Sequence, residues 1–270
     1  MTLRNKTFIL TVIFIFLYLL LQIIDLERFI DIDQELVKAF ITAIFFFLGL
    51  YWVLDFNIKG IRFITLLGYS SYIVFIESLF LELIIFQSVG RISEKTISLL
   101  VLIIYAFNIY TLILTINILN VSYISRIPLA QAAKAANFLY TLFGSYFSFL
   151  IILRSGLNIP IKIIVYLVVT FILTLNIFWF KKESFRQLFG ETFAVILIMC
   201  TLFLVLSIWP ISVELATMLY TIVYYILLGL GLEERETTSA IMNLEYILLL
   251  LIAIFFLFKL TVWGINGPIM

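Results

Sequence analysis

The sequence predicts an all-α, polytopic helical membrane protein with about nine transmembrane helices, forming a single transmembrane domain over residues 1–270 with no soluble domain. Composition is the first observation, because 64% of the 270 residues are hydrophobic and only 12% are charged. A soluble domain has about half of its residues apolar and about a quarter charged. The second observation is that the apolar residues form runs of about 17–25, which is the length of helix that crosses a ~30 Å hydrocarbon core. The intervals between the runs are too short to bury a core of their own.

The nine apolar runs occupy positions 8–24, 36–54, 62–89, 97–119, 137–153, 161–180, 193–209, 211–232 and 241–263. The first run is too long for the apolar part of a signal peptide and no cleavage pattern follows it, so we expect it to be retained. The third run would be about 42 Å long as one helix, so it must tilt, kink or project from the bilayer. Trp209-Pro210 separates the seventh and eighth runs, because proline breaks a helix.

Lysine and arginine residues in the loops predict the orientation of the chain. With the N-terminus inside, ten of the 17 basic residues lie on the inner side and seven on the outer side. An excess of basic residues in short loops marks the cytoplasmic face. We therefore expect an integral protein of a bacterial plasma membrane whose N-terminus is cytoplasmic.

The inventory of side chains excludes several classes of chemistry. The chain has no histidine and one cysteine, Cys200. Ser-His-Asp hydrolysis, zinc metalloprotease chemistry, histidine-ligated haem and an intramolecular disulfide are therefore excluded. The net charge is +1 and the basic residues are scattered, so nucleic acid is not an expected partner. We expect no cofactor, no metal site and no catalytic residue, and as partners membrane lipid and other membrane subunits.

A candidate intramembrane polar site comprises Glu77, Glu82, Asn108, Thr111 and Thr115. Glu77 is near the midpoint of the third run, where an ionised side chain costs about 2.5–3.5 kcal/mol on insertion scales. Burial favours the neutral form of a carboxyl group. Glu77 is thus either a proton acceptor or cation ligand, or a neutral side chain that bonds a neighbouring helix. Glu82 lies about 140° around the helix from Glu77, on another face. The other three residues form a polar face of the fourth run, a possible partner for Glu77.

The stretch 126–138, RIPLAQAAKAANF, has five alanines in seven residues. Proline is favoured at the start of a helix, so we expect a helix that begins near Pro128 and continues into the fifth run. Helical steps of three and four residues place small or polar side chains on one face. This small-residue face consists of Ala133, Asn137, Thr141, Gly144 and Ser148. It either packs closely against another helix or lines a hydrated cavity.

Five acids, Asp25, Glu27, Asp31, Asp33 and Glu35, lie in or next to the first loop, which would face outward. Acids directly after a first span are similar to those of glycosyltransferases that use lipid-linked sugars, and the acids are the whole of this match. A solvated acidic loop is the alternative interpretation.

Three hypotheses for function remain after the sequence alone. The first is a structural or accessory subunit of a membrane assembly, since no catalytic motif is recognisable. The second is a small ion- or solute-transporting protein that uses Glu77. The third is an enzyme that acts on lipid-linked substrates through the acidic first loop. The inventory of side chains favours a protein without enzymatic activity.

Overall fold

The computed structural model describes residues 3–23, 33–56, 58, 60–82, 94–124, 128–181, 185–232 and 240–260. In these ranges every regular element is helical and no strand is present. Eight helices are long and apolar enough to cross a membrane, and a ninth has a shorter apolar part over Leu244–Phe255. The prediction of an all-α polytopic membrane fold is confirmed.

The helices follow the predicted runs closely. They are α1 (Leu3–Ile23), α2 (Gln34–Val53), α3 (Tyr69–Phe80), α4 (Glu94–Ile124), α5 (Ala130–Arg154), α6 (Ile159–Phe178), α7 (Phe185–Ile208), α8 (Val213–Leu232) and α9 (Ala240–Leu260). A π-helix over Phe63–Gly68 leads directly into α3, and a 3₁₀ turn over Trp179–Lys181 follows α6. Helix α7 ends immediately before Trp209-Pro210, as the helix-breaking effect of proline predicts.

The third run is helical from the π-helix into α3, and its positions 83–89 lie outside the described residues. A π-helix widens the helical turn and is found mostly as a short insertion in an α-helix. Here it leads into α3, in which nine of the twelve residues are buried. The helix therefore carries its polar side chains into the protein interior.

Helix α5 begins beside the proline, as the sequence predicts. Pro128 and Leu129 form a turn, and the Ala133 amide donates to the Leu129 carbonyl at 3.0 Å. Proline is compatible with this position because the first turn of a helix leaves its amides unpaired. The alanine-rich segment is thus the first part of a helix that ends at Arg154.

The chain divides into two compact units, Met1–Gly144 and Ser145–Met270, with the boundary inside α5. Unit 1 is built around the pair α2 and α3, and α1 packs against α2 and α4. Phe14 and Phe46 are fully buried and meet edge to face at 5.6 Å between ring centroids. This geometry is one of the preferred arrangements of aromatic pairs. The single transmembrane domain stays a prediction.

Unit 2 is built from α6 packed on α7, α7 on α8 and α8 on α9. Its interior is an aromatic cluster of Phe149, Tyr166, Phe203, Tyr220 and Tyr224, all with almost no exposed surface. Ring centroids in this cluster are 4.8 to 6.1 Å apart. The cluster buries large side chains without an ionised group, so it serves packing.

Candidate functional site

The site begins with Glu77, which α3 places in the interior of unit 1 with only 7% of its surface exposed. The side-chain amide of Asn108 on α4 donates to Glu77 Oε1 at 2.8 Å. Glu77 Oε2 is buried and has no hydrogen-bond partner among the described residues. No lysine or arginine in the same part of the chain forms an ion pair with Glu77. One carboxyl oxygen of Glu77 is therefore hydrogen-bonded, and the other can still accept a hydrogen bond, a proton or a cation.

The backbone of Asn108 is contacted by Tyr140 of α5. The Tyr140 hydroxyl donates to the Asn108 backbone carbonyl at 3.0 Å and shares a 2.6 Å hydrogen bond with Thr111 Oγ1. The structure thus brings Glu77, Asn108 and Thr111 into one chain of contacts. Thr115 is buried one helical turn beyond Thr111 and lies outside this chain of hydrogen bonds.

A second group of polar contacts joins three helices one residue beyond Glu77. Ser78 Oγ lies 2.9 Å from the Tyr105 hydroxyl of α4 and accepts a 3.3 Å hydrogen bond from Thr42 of α2. All three side chains are buried. Hydroxyl groups in hydrocarbon need such partners because no water is present to replace them.

Glu82 belongs to a different helix contact from Glu77, as the helical spacing predicts. Its Oε1 accepts a 3.2 Å hydrogen bond from the Tyr18 hydroxyl of α1 and a further one from the Gln22 amide. The side chain is 7% exposed. Glu77 of α3 thus contacts α4, and Glu82, two residues beyond the end of α3, contacts α1, so the two carboxyls form two distinct positions within unit 1.

Tyr105 contacts a neighbour of each carboxyl. Its ring packs on Tyr18, which bonds Glu82, with centroids 5.2 Å apart, and its hydroxyl lies 2.9 Å from Ser78 Oγ, one residue after Glu77. From Tyr69 at the start of α3 to Glu82 just beyond its end, buried polar groups extend over about 20 Å at 1.5 Å per residue. That distance is about two thirds of a ~30 Å hydrocarbon core.

The small-residue face of α5 is buried along its whole length, since Ala133, Asn137, Thr141, Gly144 and Ser148 are all enclosed. In unit 1 the neighbour that approaches it is Tyr69. The Tyr69 hydroxyl lies 2.9 Å from Thr141 Oγ1 and donates to the Asn137 backbone carbonyl at 3.3 Å. At Asn137 and Thr141 the face therefore lies against an aromatic side chain of a neighbouring helix. Whether the face as a whole serves packing or lines a cavity stays a prediction.

The acids of the first loop are described only in part. Asp25, Glu27 and Asp31 lie outside the described residues. Asp33 caps α2, because its carboxylate accepts a 3.2 Å hydrogen bond from the Glu35 amide. This is the ordinary role of aspartate before the first turn of a helix. Within the described ranges no group of three or more acidic or cysteine side chains could hold a metal ion.

Four further residues of these polar contacts were not among the predicted site residues: Tyr18, Gln22, Tyr105 and Tyr140. The spacing that could have indicated them is helical: Tyr18 and Gln22 are four residues apart, and Tyr105 precedes Asn108 by three. Such pairs share a helix face. With 14 tyrosines in the chain, spacing alone does not select these. Comparison with models of protein families, with curated proteins and with solved structures finds no match to this chain.

Proposed function

We propose that this integral membrane protein moves protons or other small cations across the bilayer and that Glu77 is the group that binds them. One observation carries the proposal: a carboxyl group is enclosed within a helix that could span the membrane, and one of its oxygens has no partner among the described residues. A buried carboxyl without a basic partner must be neutral or must bind a cation.

The hydrogen bond from Asn108 gives Glu77 a defined orientation. A carboxylate that accepts a hydrogen bond at one oxygen presents the other oxygen to an incoming proton or cation. Asn108 cannot neutralise the carboxyl because an amide carries no charge. Asn108 thus orients the Glu77 carboxyl group, which can still take up a proton or a cation.

The polar groups on both sides of Glu77 support passage rather than an isolated structural contact. Toward the end of α3 lie Ser78, which bonds Tyr105 of α4, and then Glu82 just beyond the helix. Toward its start lies Tyr69, which bonds Thr141 of α5. Polar residues inside a membrane bundle are typical of proton and ion paths. We further propose that the N-terminus is cytoplasmic, in a bacterial plasma membrane, on the loop charges given above.

Flux measurements in proteoliposomes test the proposal. Purified wild-type protein should carry protons or a small cation faster than empty liposomes do, and Glu77→Gln should abolish that flux while folding is preserved. Glu245→Gln is the matched control, because Glu245 is exposed and accepts only a 3.4 Å hydrogen bond from Tyr225 in unit 2. Wild-type flux equal to that of empty liposomes, across a panel of ions and pH gradients, would refute the transport function.

A structural or accessory subunit of a membrane assembly is the second candidate. The observation that favours it is a stripe of exposed apolar side chains on α4, which are Leu99, Leu100, Ile103, Ile104 and Phe107. Lipid or another membrane subunit would cover such a surface. Native electrophoresis of mildly solubilised membranes tests this role. A complex that contains a second protein, and that Ile104→Lys dissociates, would support it.

A further inference from the structure

A cavity of about 340 Å³ is formed by α2 and α3 of unit 1. Four of the seven described side chains that line it are aromatic, namely Phe40 and Phe47 of α2 and Tyr72 and Phe75 of α3. Binding sites for small molecules have volumes of about 300–1,000 Å³ and mostly apolar walls with a few polar groups. The cavity therefore has the size and the lining of a site for a small apolar ligand.

The cavity lies near the middle of two candidate membrane spans, Gln34–Val53 and Phe63–Phe80. Ser71, which lines it, is the ninth of the 18 residues of the second span. Two lining residues of α2, Phe40 and Ile44, are 57% and 46% exposed, so the cavity is open at the protein surface. At this depth the surrounding solvent is hydrocarbon, so a ligand would enter from the lipid.

Ser71 supplies the cavity with an unpaired polar group. The side chain is 9% exposed, and its buried hydroxyl has no hydrogen-bond partner among the residues that the structure describes. Its neighbour Ser70 instead donates to the Leu66 carbonyl at 2.6 Å, a common arrangement for serine within a helix. A hydroxyl group without a partner in hydrocarbon is unfavourable. A ligand with an acceptor oxygen would remove that cost.

The backbone is also unusual at this position. The π-helix over Phe63–Gly68 ends three residues before Ser71. π-Helices are rare, and short ones within an α-helix are frequent at functional sites. An irregular helix and an unpaired hydroxyl thus coincide at the cavity.

We propose that this cavity binds the ring of a lipid-soluble quinone and that the Ser71 hydroxyl donates a hydrogen bond to one of its carbonyl oxygens. A cavity of about 150 Å³ accommodates benzene, so about twice that volume suffices for a substituted quinone ring. Aromatic side chains such as Phe47 and Phe75 favour contact with a planar ring. The proposal concerns binding alone, in which no covalent bond forms or breaks.

Depth and charge distinguish a quinone from other membrane components. The ester carbonyls of a phospholipid lie at the membrane surface, about 15 Å from the middle of a ~30 Å hydrocarbon core, so they cannot reach Ser71. A charged ligand has no partner either, since none of the described lining residues is acidic or basic. A quinone ring is neutral and carries acceptor oxygens, and its apolar chain would extend into lipid past Phe40 and Ile44.

Photo-crosslinking of purified protein in phospholipid nanodiscs tests the proposal. The probe is an azido-benzoquinone with a decyl chain, and peptide mass spectrometry locates its adducts. In wild type we expect saturable adducts on the segments 40–47 and 71–75. Two competitors then compare ligands with and without carbonyl oxygens: decyl-benzoquinone and decylbenzene. The ratio of their affinities should be about two- to tenfold higher in wild type than in Ser71→Ala, the effect of one neutral hydrogen bond.

Ser70→Ala is the matched control, because Ser70 is buried beside Ser71 but bonds the backbone and is not among the lining residues. It should give the wild-type ratio. Without a quinone, Ser71→Ala should be at least as thermally stable as wild type, since the variant removes an unsatisfied hydroxyl. Ala43→Leu adds volume at a lining position that is 9% exposed, so it should abolish the saturable adducts.

Three results would overturn the proposal. Equal affinity ratios in wild type and Ser71→Ala, with adducts in the cavity, would show that a hydrocarbon chain occupies it and that Ser71 does not bind a carbonyl. Adducts that do not saturate and that spread over exposed positions such as Leu99 and Phe107 would show only contact with lipid-dissolved probe. Saturable adducts that persist unchanged in Ala43→Leu would place the quinone elsewhere. None of these results depends on whether Glu77 carries protons.

Discussion

Asn108 donates a 2.8 Å hydrogen bond to one carboxyl oxygen of Glu77, while the other oxygen is buried without a partner in the described part of the chain. This asymmetry is the basis of the proposed function. A carboxyl group used only for packing would be expected to satisfy both oxygens, since most buried polar atoms in proteins are hydrogen-bonded. The polar contact is also placed between two helices of unit 1, so it contributes to their association.

The coupling between Glu77 and Asn108 can be measured by a double-mutant cycle. Glu77→Ala, Asn108→Ala and the double variant should give a favourable coupling free energy of about 0.5–2 kcal/mol, the range found for hydrogen bonds between membrane helices. Unfolding in mixed micelles of a denaturing detergent supplies the free energies. Additive effects of the two substitutions would show that this hydrogen bond does not stabilise the fold.

Two tyrosines of unit 2 should respond in opposite ways to loss of the hydroxyl. Tyr166 is buried and its hydroxyl has no hydrogen-bond partner within the described residues, whereas the Tyr224 hydroxyl bonds Thr174. Tyr166→Phe should therefore leave thermal stability unchanged or raise it, because an unsatisfied buried hydroxyl costs about 1–3 kcal/mol. Tyr224→Phe should destabilise by about 0.5–1.5 kcal/mol. A loss of stability for Tyr166→Phe as large as that for Tyr224→Phe would contradict this arrangement.

The close approach of α8 to α6 depends on Gly231. A Cβ atom at this position would overlap the ring of Phe178, which is fully buried and cannot move aside cheaply. Gly231→Ala should destabilise the protein by about 1–3 kcal/mol, as overpacking usually does. At Gly190 in α7, a Cβ meets nothing within 4 Å. Gly190→Ala should therefore be neutral or stabilising, by up to about 1 kcal/mol from helix propensity. Equal thermal stabilities of the Gly231→Ala and Gly190→Ala variants would show that Gly231 does not contact Phe178 as described.

The two ends of α5 provide a test of orientation. Gln131 is exposed near the start of α5, and Gly156 is exposed just beyond its end. With a cytoplasmic N-terminus, α5 begins inside and ends outside. In a Cys200→Ala background, a cysteine replacing Gly156 should react in intact cells with an impermeant thiol reagent, and one replacing Gln131 should not. The reverse pattern would show that the N-terminus is on the outer side.

The helices could be predicted from the sequence because hydrocarbon leaves the chain few alternatives. Runs of apolar residues must form helices whose backbone groups are satisfied internally, so positions such as Trp209-Pro210 located the helix ends well. Glu77 and the polar face with Asn108 could be singled out because an acid in an apolar run is rare. The hydrogen bond between them forms once the polar faces of the neighbouring helices α3 and α4 meet.

The rest of the network could not be predicted, for a physical reason. Tyrosine is compatible with lipid surface, membrane interface and protein interior, so its position in the sequence does not indicate which role it has. Tyr18 and Tyr105 became recognisable only when the helices brought the first to Glu82 and the second to Ser78. Lys38 is a similar case: it is near a helix end, where lysine usually extends toward water, yet the fold buries it.

The protonation of Glu77 in the membrane tests the central claim most directly. Wild-type protein is treated with a lipid-soluble carbodiimide at a series of pH values, and the modified carboxyl groups are identified by peptide mass spectrometry. We expect Glu77 to be labelled at low pH and its labelling to fall as the pH rises, because the neutral form alone reacts and the site releases its proton. Labelling of Glu77 that does not change with pH, or no labelling at any pH, would contradict a carboxyl group that binds and releases protons.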